Sequence, residues 1–403
     1  MTSPVQHLLQ DLIRAPSVNP AFSNGQEDIA GEHRVTSFLE QWCGDRGLGS
    51  VRQPVEAHRE NFIAILPGSD RLLLWEVHQD TVGIDGMTID PFAGTLDGDR
   101  IWGRGACDVK GSMAAMLVAI ERLATLPINE RATIVLDCTV NEECGNTGAH
   151  RLARLWQPER RTAETLVGNS IVSNDLFSRA PYAAIVAELT MFDTVVAHKG
   201  IVRWRARIHG RAAHTSDPAQ GVNAVYGAAR VALAVQRYAV EVLSQKAAHE
   251  LCGAPQVCVS TLHGGSGVNT VADLATLEID RRITPAEEPT AARAELTQYI
   301  EQHAELGECR VTHEPPFGQM EALADRANGN WADDVIDAAR RAGRRSRPVG
   351  ANYGTDAPAI AATGVPTVVI GPGSIAQAHT ADEWISVEQL EQAVQVYFEI
   401  GKV

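Results

Sequence analysis

His78 ends the apolar run LLLWEV, and Asp80 follows two residues later. No other of the thirteen histidines has an aspartate at that spacing. Side chains two apart in an extended segment share a face. A carboxylate there can accept the imidazole N–H, orient the ring and make it a better metal ligand. Taken alone, the pair would equally suit a contact that only stabilises a loop. Asp108 lies in the glycine-rich run GRGACDVKG ahead of a helical pattern. Glycine lets such a backbone approach a cation closely, although a plain helix-entry turn has the same look. Glu142 and Glu143 end the apolar run ATIVLDCTV. Two adjacent carboxylates at a buried strand end are costly without a cation or a proton. One can bind a metal while the other takes a proton from water, which is general-base work; a solvated turn is the plainer reading. Glu188 follows AAIVA, and His379 follows VPTVVI and a glycine loop. His78, Asp108, Glu143, Glu188 and His379 together supply two imidazoles and three carboxylates, one of which could bridge two divalent cations. That donor mixture suits zinc, with cobalt or manganese as substitutes.

Such residues need a scaffold that brings distant strand ends together. Helical spacing at 29–42, strand-like runs at 62–66, 71–77, 132–140 and 183–189, and a helix at 112–124 with Ser112 as its N-cap alternate along the first half. Near-continuous apolar strands alternating with helices predict an α/β fold, a mostly parallel sheet covered by helices on both faces. Near residue 198 the pattern changes. IVRWRARIHG alternates apolar and basic residues, a long helix spans 221–243, strands follow at 256–262 and 274–283, and a helix spans 290–304. This order predicts an inserted α+β domain with an antiparallel sheet. A helix near 331–342, a strand at 365–370 and a helix at 387–400 return to the first pattern. The expected organisation is a discontinuous catalytic domain, 1–197 and 313–403, interrupted by an inserted domain at 198–312.

The chain has 403 residues, 44% hydrophobic and 21% charged, with 35 basic against 50 acidic side chains and a net charge of −15. This acidity gives no whole-molecule attraction for nucleic acid or an anionic membrane. No apolar run approaches the roughly 18 residues of a membrane span. The start lacks the pattern of a signal peptide, and the seven scattered cysteines fit reduced thiols in a cytoplasmic protein. GPGSIA at 371–376 fits a loose dinucleotide-binding pattern, but too little chain follows for the rest of that unit. The basic run RRAGRRSR suits a helix end, where cations complement the dipole.

The runs HQDTV, GRGACDVKG, NEECG, AELT and GPGSIAQAHTADEW, in this order, resemble the co-catalytic dizinc amidohydrolases and peptidases. That family includes acetylornithine deacetylase, succinyl-diaminopimelate desuccinylase, carboxypeptidase G and aminoacylase. The resemblance implies a zinc-exopeptidase-like catalytic domain with an inserted lid and dimerisation domain. It implies that His78, Asp108 and Glu188 hold one metal, that Asp108, Glu143 and His379 hold the other, and that Asp108 bridges them. Glu142 would be the general base, Asp80 would support His78, and the Asp108–Val109 bond would be cis.

HGRAAHTSDPAQGVNAV and GGSGVNTVADLATLEIDRR resemble the family's lid segments. By that resemblance His214 polarises the scissile carbonyl in the partner subunit's site, and Asn269 and Arg282 bind a substrate carboxylate. Arg282, rather than Arg281, fills the last place of Asp-x-Arg. A guanidinium can engage both carboxylate oxygens. Two departures stand out: Asn141 where an aspartate is common, and Ala187-Glu188-Leu189-Thr190 where Gly-Glu-Pro-Thr is common. The resemblance implies hydrolysis of a small-molecule N-acyl amino acid by a homodimer, and the stretch from ANYGTDAP onward looks most like acetylornithine deacetylase. Tyr353, Thr355 and Asp356 are expected to line the substrate pocket, with Asp356 facing a basic substrate group. The alternatives are a dipeptidase or glutamate carboxypeptidase of the same fold, or a non-catalytic metal-binding homologue.

Overall fold

A computed structural model describes residues 3–161, 164–168 and 176–403. The chain forms two compact units: Met1–Val196 with Asp325–Val349 and Thr355–Val403, and Ala197–Ala324 with Gly350–Gly354. No helix among the described residues is long and apolar enough to cross a membrane.

In the first unit, strands Leu72–His78 and Thr133–Thr139 are buried along their whole length. Runs this apolar exclude water from both faces, which is the burial expected of the inner strands of an α/β sheet. Part of the sheet runs in the order Thr367–Val369, Ala183–Val186, Leu72–His78, Thr133–Thr139, Arg59–Leu66, Gly49–Glu56. The first four are mutually parallel, and each of the last two is antiparallel to the strand before it. Val369 stands beside Val186, Val186 beside Glu76, and His78 beside Thr139. This register levels the carboxyl ends of four parallel strands along one edge, where open α/β sheets present their ligand sites.

Helices Lys110–Ala124 and Val387–Gly401 pack against one another. Their residues Met113, Met116, Leu117, Leu390 and Val394 join Trp75 and Ile134 in one core. Burial of this apolar surface at about 25 cal/mol per Å2 is the main force holding the layers together. The first of these helices starts two residues before the expected cap. Lys110 N–H already donates to the Gly105 carbonyl, so Ser112 is wound into the first turn and buried rather than capping it. The helix expected from 29 spans His33–Asp45, because Gly31 takes a positive φ and the chain before it is looped.

The second unit holds an antiparallel sheet in the order Gln256–Gly264, Leu274–Ile283, Gly200–His209, Arg310–His313, with Gly318–Met320 also beside Gly200–His209. Along Gly200–His209, Val202, Trp204, Ala206 and Ile208 point into the core. Arg203, Arg205 and Arg207 point out to Asp280, Glu278 and Glu314. Helices Ala224–Glu241 and Pro289–His303 cover the apolar face. The long helix begins at 224 rather than 221 because the Asn223 side chain accepts the N–H groups of Val225 and Tyr226.

Candidate metal centre

Seven of the residues singled out by their sequence lie in the first unit, just beyond the level strand ends. His78 closes its strand, and Glu142 and Glu143 follow Thr133–Thr139 after a turn at Asn141, whose φ is +67°. Glu188 follows Ala183–Val186, and His379 lies ten residues beyond Val369. Asp108 enters between them on the loop before Lys110–Ala124, and its bond to Val109 is cis. A Cβ on Gly371 would stand 2.4 Å from the Glu188 carbonyl oxygen, so only glycine lets the His379 loop pass the Glu188 loop this closely.

Asp108 lies between the two imidazoles. Its Oδ1 is 3.2 Å from His78 Nε2 and its Oδ2 is 3.4 Å from His379 Nε2. Glu188 Oε1 lies 3.9 Å from His78 Nε2, and Glu143 Oε2 lies 3.0 Å from His379 Nε2. Potential ligand atoms of His78, Asp108 and Glu143 lie within 4.8 Å of one another, and so do those of His78, Glu142 and Glu188.

The Asp80 contacts differ from expectation. Its backbone carbonyl, not its carboxylate, lies 2.9 Å from His78 Nδ1, while carboxylate Oδ1 is 3.7 Å away. An Nδ1–H donating there leaves the Nε2 lone pair facing Asp108 and Glu188, the tautomer a metal ligand needs. The Asp80 carboxylate instead accepts the backbone N–H groups of Glu142 and Glu143, each at 3.1 Å. Asn19 Nδ2 donates to Asp80 Oδ2 at 2.7 Å and to Asn141 Oδ1 at 2.8 Å, tying both loops together. Asn19 carried no local signal in the sequence; it meets these residues only after the chain folds.

The electrostatics of this cluster call for added positive charge. Burial pushes Glu142 and Glu188 well above the usual carboxylate range, with neighbouring carboxylates adding to the effect. Burial, with Asp108 beside it, pushes Glu143 up to about 7. Hydrogen bonds to Asp108 and Glu143 raise His379 to about 10. Burial lowers His78, but its hydrogen bond to Asp108 and nearby carboxylates outweigh this and leave it well above the usual value. Burial raises Asp108, yet the two imidazoles hold it below the usual carboxylate range. Glu143 Oε1 is buried without a hydrogen-bond partner. Four carboxylates facing two imidazoles, with one oxygen orphaned, fit two divalent cations, which would replace the protons the cluster otherwise retains.

Asp356 lies in the interior. It is 1% exposed; its Oδ1 accepts Asn146 Nδ2 at 2.7 Å, and its Oδ2 lies 2.9 Å from the Thr139 hydroxyl. Those interior donors already occupy its carboxylate, so it does not face a basic substrate group. Thr355 is likewise buried, and its hydroxyl accepts the Ala357 N–H. Tyr353 lies in the second unit.

His214, Asn269 and Arg282 also lie in the second unit. His214 pairs with Thr270 in a short ribbon, and the Asn269 carbonyl accepts the Thr215 N–H, so His214 and Asn269 are neighbours. The Ser216 N–H donates to His214 Nδ1 at 3.1 Å, which puts the ring proton on Nε2. Arg282 is ion-paired with Asp280 at 2.9 Å on one face of strand Leu274–Ile283. Arg281 points to the other face, fully buried and paired with Glu287. Strand alternation thus separates the two arginines that adjacency in sequence leaves ambiguous.

Residues 74–402 match the model of Peptidase family M20/M25/M40. The chain is 29% identical over 394 residues to an acetylornithine deacetylase from Edwardsiella ictaluri, covering 94% of this chain and 92% of that protein. It is 28% identical over 399 residues to an acetylornithine deacetylase from Aliivibrio fischeri, covering 96% and 95%. In fold it is similar to an M20 family metallo-carboxypeptidase from Sulfolobus solfataricus, with a TM-score of 0.76, 16% identity and coverage of 99% and 98%. It is also similar to a dinuclear metal-binding M20 peptidase from Bacillus subtilis, with a TM-score of 0.66, 15% identity and coverage of 98% and 96%. The strand-end cluster and the match over most of the chain agree: this protein belongs to Peptidase family M20/M25/M40 and is a metal-dependent amidohydrolase.

Proposed function

We propose that the protein hydrolyses the amide bond of an N-acyl amino acid, acetylornithine or a close analogue, releasing the free amino acid and a carboxylate. The observation that carries this reading is the Asp108 carboxylate lying between His78 and His379, with Glu142 beside the same cluster. His78, Asp108 and Glu188 would hold one divalent cation, and Asp108, Glu143 and His379 the other. Two such ions, zinc by the donor set and cobalt or manganese as substitutes, would polarise the acyl carbonyl and acidify water. Glu142 takes the proton from the attacking water and returns it to the leaving nitrogen. Asp80 keeps Glu142 and Glu143 in place through their amides. The Nε2–H of His214 donates to the acyl oxygen, and Asn269 and Arg282 engage the substrate carboxylate.

A homodimer formed through the second unit completes this reading, with that unit acting as lid and the first unit as the catalytic part. Strand Gln256–Gly264 ends the order of its sheet. Tyr226, Leu233 and Val240, seven residues apart on helix Ala224–Glu241, are 67%, 57% and 67% exposed. An open edge beside an apolar stripe supports pairing with a second copy. The seven cysteines, scattered along the chain, support a reducing, cytoplasmic setting.

A hydrolysis panel tests the reading: acetylornithine, other N-acetyl amino acids and simple dipeptides, each with zinc, cobalt, manganese or a chelator. Acetylornithine turnover that depends on added metal is the expected result. Dipeptide cleavage with no turnover of any acyl amino acid would replace the deacylase reading with a dipeptidase.

A further inference from the structure

Glu383 lies four residues beyond His379 and is fully buried. Its Oε1 accepts the backbone N–H of Cys107 at 2.7 Å and of Asp108 at 2.8 Å. Its Oε2 accepts the N–H of Gly105 at 2.9 Å and Nη1 of Arg104 at 2.8 Å. Arg104 is 3% exposed and also donates to the carbonyls of Gly83 and Thr380. The loop before Lys110–Ala124 has neither helix nor strand to pair these amides, so one carboxylate collects three of them. That carboxylate belongs to the loop that carries His379. The residue it grips last is Asp108, whose two oxygens face His78 on one side and His379 on the other. Asp108 and His379, two of the three residues around one cation position, therefore both depend on Glu383, whereas His78 and Glu188 are set by the ends of strands Leu72–His78 and Ala183–Val186. Asp80 does the corresponding work on the Glu142–Glu143 turn, so each pair of loops is tied by a carboxylate carried on one and bonded to the amides of the other.

The geometry points to Glu383, held by Arg104, as a positioning residue that sets Asp108 and so determines occupancy of the cation position shared by Asp108, Glu143 and His379. This rests on the reading of the cluster as a two-cation centre. Glu383→Gln keeps the size of the side chain but leaves one acceptor oxygen and turns an NH2 toward backbone donors. The double variant Glu383→Gln with Arg104→Met removes the charge left unpaired by the first change. Purified full-length wild type and both variants are titrated with zinc and with cobalt by calorimetry, and the cobalt absorption spectrum and kinetics are recorded. Wild type is expected to bind two ions. The variants are expected to bind one ion as tightly and the second about 10- to 100-fold more weakly, with an altered cobalt spectrum and kcat reduced more than KM is raised. Two ions bound with wild-type affinities and spectra, alongside a lower Tm alone, would reduce Glu383 to a scaffold residue and overturn the proposal. If Glu383→Gln does not fold, Arg104→Lys carries the same test, since it keeps the charge and loses the fork that joins Glu383 to Thr380. Wild type that binds no divalent ion defeats the two-cation reading itself, and that outcome is seen in the wild-type titration alone.

Discussion

The Asp80 carboxylate accepts the backbone N–H of Glu142 at 3.1 Å, with its other oxygen on the next amide, that of Glu143. One side chain thus holds in place the amides of both the expected base and its neighbouring ligand. It does so across two strands that are distant in sequence but adjacent in the sheet. Asp80→Asn keeps one acceptor and puts an NH2 where the second was. A 10- to 100-fold loss of kcat or of metal affinity, roughly the cost of removing a ligand's support, is expected. Steady-state kinetics at saturating metal, beside a calorimetric metal titration, separates the two. An unchanged kcat and an unchanged affinity would show that Asp80 supports neither residue.

Glu142→Gln removes the proton acceptor and leaves the expected ligand set untouched. The expected outcome is a fall in kcat of at least about 100-fold, the scale of general acid–base catalysis, with two metals still bound. Kinetics and elemental analysis of the same preparation check both halves. Full activity in Glu142→Gln would assign the proton transfer elsewhere.

Metal-free protein should lose stability as the pH rises. His379 is raised from 6.5 to about 10 and Glu143 from 4.5 to about 7, so both bind protons more tightly folded than unfolded. The sign follows: the His379 contribution is complete below about 6.5 and disappears as pH climbs to about 10. The Glu143 contribution is complete below about 4.5 and disappears by about 7. Cations replace those protons, so the rise in Tm on adding zinc should be larger at pH 8 than at pH 5. Thermal scans with chelator and with zinc at both pH values measure this. An equal rise at both would mean that the metal does not compete with these protons.

Arg281 and Arg282 should give opposite phenotypes. Arg281 is fully buried and paired with Glu287, and breaking a buried pair from one side costs about 3–5 kcal/mol. Arg281→Ala is therefore expected to lower Tm sharply. Arg282→Ala, on the partly exposed face, is expected to raise KM for carboxylate-bearing substrates with little change in Tm. Denaturation and kinetics on the two variants decide it, and the reverse pattern would reassign the substrate carboxylate to Arg281.

Much of this was legible in the chain itself. The runs ending at His78, at Thr139 and at Val186 carry their own burial, because a segment this rich in apolar residues has to leave water on both faces, taking Glu76 and Asp137 in with it. Polar residues placed just past such runs stand out for that reason, and so the α/β class and the expected ligands were readable without coordinates. What only folding decided is how those residues are held. Asn19 and Glu383 have no spacing pattern that marks them, since their partners, Asp80 and the amides of 105–108, are remote in sequence. Asp356, expected from the resemblance to face a basic substrate group, is instead buried by the fold against Thr139 and Asn146. Strand and helix periodicity are local properties, set by neighbours along the chain. Hydrogen bonds between loops depend on which strand ends the sheet brings level, and that register exists only in three dimensions.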